Sequence, residues 1–146
     1  MYKEILNNLN SEEYGKSIWL NLPVKDIERS KKFFTKIGFK FSDGPGNTPN
    51  SAPLLIGSKE VVVMLFEESV FKGFVNQEVS DPTKVSEVVL SIDAGSKEEV
   101  DGFVEKVLEA GGSSNHKPYK MDGPMYGCIF NDPDGHKWNV LYMKGM

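Results

Sequence analysis

From Ile18 the chain alternates in hydropathy: Ile18, Leu20 and Leu22 share one face of a predicted strand, and Trp19 and Asn21 share the other. Asp26 is a suitable N-cap for the next segment, residues 27–37. There Ile27, Phe33, Phe34 and Ile37 fall on one helical stripe, which Gly38 ends. Phe39-Lys40-Phe41 reads as a short strand. Residues 43–53, dense in Gly, Pro and Asn, have the composition of a flexible loop. Residues 54–56 and 61–66 read as two further strands, joined across Gly57-Ser58.

A linker over residues 67–82, with a short helix expected at 69–75, precedes a return of the same scheme. Residues 88–92 form a strand pattern, and Ser96 with Glu99 forms a capping box. The helix behind it sets Val100, Phe103, Val104, Val107 and Leu108 on one stripe and stops at Gly111-Gly112. Strands are expected near 114–117, 125–131 and 137–143. Asp132-Pro133-Asp134-Gly135 between the last two has type I turn chemistry. The order is β-α-β-β-β, a linker, then β-α-β-β-β, and the helix-ending glycines lie about half a chain apart. The fold class expected is therefore α+β: two tandem βαβββ modules, 17–66 and 86–143, preceded by an N-terminal arm over 1–16. Each sheet has one face covered by its helix, and the two free faces can enclose a central cleft.

Composition narrows the chemistry without naming it. The 146 residues carry a formal net charge of −4, which argues against nucleic acid as a partner. No apolar run is long enough for a membrane span, and no signal-peptide pattern opens the chain. Cys128 is the sole cysteine, so no internal disulfide can form and a cytoplasmic location is expected.

Two junction motifs, Leu22-Pro23-Val24-Lys25-Asp26 and Asp132-Pro133-Asp134-Gly135-His136, together with the βαβββ repeat, resemble the vicinal oxygen chelate superfamily. That superfamily holds glyoxalases, bleomycin-resistance proteins and extradiol dioxygenases. Met125-Tyr126-Gly127 ahead of the Asp-Pro-Asp-Gly-His run looks like a bacterial subgroup labelled predicted lactoylglutathione lyases. The resemblance implies a divalent metal in the cleft, held by His and Glu from both halves, and a homodimeric assembly. Carried over one by one, the ligand positions fall on Trp19, on or near Met64, on Glu87 counted back from Asp93, and on Asn139. Trp has no ligating atom, and a lone thioether or amide oxygen is a poor ligand for nickel, zinc or iron. Only Glu87 is a competent donor, so no metal site and no cofactor are expected.

A small organic ligand in the cleft is the leading expectation, lined by Trp19, Asn21, Met64, Phe66, Cys128 and Asn139. Four of these have a plainer reading: Trp19 as packing between sheets, Asn21 and Asn139 as mutually bonded, Cys128 as a small buried hydrophobe. If the protein turns its ligand over, Glu87 as general base and Tyr126 as acid or donor are the candidates. The alternatives are a resistance-type protein that sequesters its ligand and a metal-dependent glyoxalase-like lyase. His116 and His136 read as structural or surface residues, with His136 facing solvent.

Overall fold

The computed structural model describes residues 15–145; the arm expected over 1–16 lies outside them but for its last two residues. The first module is β1 (Leu20–Val24), α1 (Ile27–Lys36), β2 (Lys40–Phe41), β3 (Ser51–Ile56) and β4 (Val61–Glu67). Helix α2 (Glu68–Val75) follows it. The second module is β5 (Val89–Asp93), α3 (Lys97–Glu109), β6 (Tyr119–Lys120), β7 (Met125–Asn131) and β8 (Lys137–Met143). The α+β class and the two βαβββ modules are thus as the hydropathy pattern requires. In each sheet the strand that precedes the helix pairs in parallel with the last strand. The orders are β1-β4-β3-β2 and β5-β8-β7-β6, leaving β1 and β5 as edges.

The caps follow from side-chain chemistry. Asp26 accepts from the backbone N–H of Arg29, and Ser96 accepts from that of Glu99, whose carboxylate in turn accepts from Gly95 N–H. Leu22, Val24, Val63 and Leu65 face α1, and Trp138, Val140, Cys128 and Phe130 face α3.

The two helix-covered faces share one core. Phe34 of α1 lies 5.4 Å from Trp138 of β8, and Phe39 lies 6.1 Å from Phe103 of α3, centroid to centroid. A Cβ on Gly112 would meet Val107, the Asn131 carbonyl oxygen and Phe33 at 2.7–2.9 Å, so the modules close at a point where only glycine fits. The uncovered sheet faces point away from this core and do not meet each other.

Polar contacts knit the same seam, and they correct the reading of the last turn. His136 is buried, not solvent-facing: its Nε2 lies 2.6 Å from the carbonyl oxygen of Pro23. Asp134 accepts from Lys25 N–H at 2.8 Å and from the Arg29 guanidinium at 2.9 Å. Asp132 accepts from the backbone N–H groups of Asp134 and His136 and from the Trp138 indole. Burial pushes the Asp132 carboxyl up, against the opposing pull of His136 and the indole. The contacts of Asp134 and His136 with the first module span more than a hundred residues of sequence, which is why local chemistry shows the turn but not its partners.

Other departures are local. The strand expected at 114–117 is displaced to Tyr119–Lys120, because Ser113 makes only an isolated bridge to Asn131. Residues 43–50 are not a loose loop. Ser51 Oγ donates to the Gly46 carbonyl at 2.7 Å, Asn47 Nδ2 to that of Ser42 at 3.0 Å, and Lys31 Nζ to Asn47 Oδ1 at 2.8 Å.

Candidate ligand-binding face

Strand alternation sends Trp19, Asn21 and Pro23 to the uncovered face of the first sheet, beside Val62, Met64 and Phe66 of β4. Asn21 registers with Met64 and Pro23 with Phe66. Four of the residues expected to line a cleft, Trp19, Asn21, Met64 and Phe66, therefore share one surface. One end of it is built up. Phe74 of α2 packs edge-on against Phe66 at 4.9 Å. The 43–50 loop comes so close that a Cβ on Gly46 would lie 3.3 Å from both Met64 Cε and Pro53 Cγ. The other end is open: Trp19 is 58% exposed and walls a groove of about 600 Å³ floored by Val62 and Met64.

The second sheet repeats the arrangement. Asn139 of β8 registers with Ser91 of β5 as Met64 does with Asn21, so Asn139 and Met64 are structural counterparts. Asn139 Nδ2 donates to Ser91 Oγ at 3.4 Å, while its buried Oδ1 has no partner among the described residues. Asn139 thus lies on the uncovered face of the second sheet, apart from the Trp19 surface of the same chain.

The remaining three candidates lie elsewhere. Glu87 sits exposed in a bend ahead of β5. Because Ser96 rather than Asp93 caps α3, the β5 counterpart of Trp19 is Val89, which is 51% exposed. Tyr126 lies on the helix side of β7, its hydroxyl donating to Asp101 of α3 at 2.6 Å. That hydrogen bond, seconded by desolvation, pushes the phenol up to about 12. It opens into a separate groove of about 640 Å³ against α3. Cys128 is 0% exposed, in the position that Ala52 fills in the first module, and burial pushes its thiol up. Its sulfur lies 3.3 Å from Ser114 Oγ and 3.8 Å from His116 Nδ1. Sequence alternation places Tyr126 and Cys128 together but cannot tell which face of β7 meets the helix.

Comparison with known proteins decides the family. The family described as bleomycin resistance protein-like N-terminal matches residues 16–48. A hypothetical protein, SA1046 from S. aureus, is 36% identical over 91% of this chain and 99% of its own, with a TM-score of 0.79. A glyoxalase-related enzyme from Fulvimarina pelagi aligns over 88% of each chain at 18% identity, TM-score 0.75. The chain belongs to one family with the S. aureus protein, and it shares the fold of the glyoxalase/bleomycin resistance/dioxygenase proteins. A bleomycin resistance determinant encoded on transposon Tn5 shares the fold at 15% identity, covering 89% of this chain and 99% of its own, TM-score 0.61. No curated protein matches the chain.

The metal that superfamily resemblance implies does not fit the donors present. On the uncovered faces its positions hold the Trp19 indole, the Met64 thioether and the Asn139 amide, and β5 offers Val89. Among the described residues no three His, Cys, Asp or Glu side chains come together to hold an ion. No helix among them is long and apolar enough to cross a membrane.

Proposed function

We propose that this chain, like proteins of the glyoxalase/bleomycin resistance/dioxygenase superfamily whose fold it shares, binds a small organic molecule, here on the uncovered face of its first sheet and without a metal. The observation that carries the reading is the exposed Trp19 indole in a groove that Val62 and Met64 also line. Tyr126 is tied to Asp101 on the helix side and Glu87 does not line that groove, which favours sequestration over turnover.

A second copy of the chain completes the site. Among the described residues, edge strands β1 and β5 are each paired on one side only and flanked by exposed apolar residues, Ile18 and Trp19 on one, Val88 and Val89 on the other. Setting β1 of one copy beside β5 of another brings the Trp19 face against the Asn139 face and gives the free amide oxygen a ligand to meet. Sedimentation of the native chain should give a dimer and Val89→Lys a monomer; a native monomer contradicts the assembly.

The binding reading is tested by a thermal-shift screen of small organic molecules. Compounds that raise the melting temperature of the native chain should fail to raise that of Trp19→Ala, and chromatography should recover them unchanged. A shift that survives Trp19→Ala, or the appearance of product, contradicts it.

A further inference from the structure

The groove beside Trp19 carries a charge pattern that the whole chain does not. The protein is acidic overall, with a net charge of −4, yet Lys16 and Lys59 stand on the groove's rim against the single carboxylate of Glu60. Trp19, Val62 and Met64 line the same groove with apolar surface. The indole offers a planar face for stacking, and the thioether a polarizable contact at a ring edge. Two ammonium groups above such a surface attract an anion, and the attraction is felt most where the ring beneath has displaced water.

Resting on the binding function proposed above, we infer that the occupant is a planar aromatic molecule bearing an anionic group, its ring against Trp19 and Met64 and its charge beneath Lys16 and Lys59. The acidic character of the chain does not oppose this, because the net charge acts over a screened distance while the two lysines line the groove itself.

Three probes of one skeleton separate the charge preference from binding as such: naphthalene-2-carboxylate, naphthalene-2-carboxamide and 2-(aminomethyl)naphthalene. Each is titrated into the uniformly ¹⁵N-labelled full chain, reading the indole N–H resonance of Trp19. The buried Trp138, whose indole is held by Asp132, serves as the internal reference for an intact fold. The carboxylate is expected to shift the Trp19 signal and to bind about fivefold more tightly than the carboxamide, with the ammonium weaker still. In Lys16→Glu/Lys59→Glu the order should reverse while Trp138 stays in place. Equal or tighter binding of the ammonium by the native chain overturns the anionic assignment but leaves small-molecule binding standing. An unchanged order in the double variant overturns the role of the two lysines. A Trp19 signal unmoved by all three overturns both the inference and the function on which it rests.

Discussion

The imidazole of His136 reaches across the molecule to the main chain of Pro23, 2.6 Å away, joining the last turn of the second module to the first strand of the first. Pro23 sits on the same uncovered face as Trp19, so the seam between modules and the candidate ligand face share a strand. Removing the imidazole leaves a carbonyl oxygen at the seam without its donor. His136→Ala should therefore cost about 1–3 kcal/mol of unfolding free energy. Urea denaturation followed by tryptophan fluorescence measures it, and a change near zero contradicts the latch.

The Tyr126–Asp101 contact predicts a titration. Ionising the phenol would break its hydrogen bond to Asp101, and burial and the carboxylate's own charge oppose it further, so the folded value is raised to about 12 from the ordinary 10.0. A raised folded value means that the contact adds stability below pH 10, and that this contribution is lost as pH rises through 12. Tyrosine Cζ chemical shifts followed against pH should show Tyr126 as a late-titrating ring. Asp101→Asn should bring it back toward 10. A native value at 10 contradicts the contact.

Cys128 fills a core position rather than a reactive one. Its counterpart Ala52 is equally buried, so Cys128→Ala trades one small core side chain for another and should cost about 1 kcal/mol. Ellman's reagent should leave the folded protein unmodified and label one thiol after unfolding. Rapid labelling of the native chain contradicts the placement.

Most of the fold is legible in the sequence because its signals are local. Asp26, Ser96 and Glu99 announce the helix starts, and the stripe through Val100, Val104 and Val107 announces the buried face of α3. The repeat of βαβββ follows from these alone. What is not legible depends on contacts between distant segments. Nothing near His136 shows that Pro23 will accept from it, and nothing near Cys128 shows that its side of β7 meets α3. The candidate face divides along the same line. Trp19, Asn21, Met64 and Phe66 come from strand alternation, and the structure groups them. Glu87 rests on a count from Asp93, and the true cap at Ser96 puts Val89 in that place. A count from the capping box, visible in the sequence as Ser96 with Glu99, reaches Val89 directly.

At the centre of this account is a ligand face that works by apolar surface and hydrogen bonding, with no metal at Trp19, Met64, Val89 and Asn139. Elemental analysis of the purified protein, paired with melting curves across a titration of divalent nickel, zinc, iron and manganese, tests it most directly. A metal bound only by the folded state adds about 2.7 kcal/mol at a hundredfold excess over its Kd, enough to raise the melting temperature by several degrees. The account predicts substoichiometric metal and unmoved melting curves. One equivalent of a divalent metal per chain, with a matching rise in melting temperature, would contradict it.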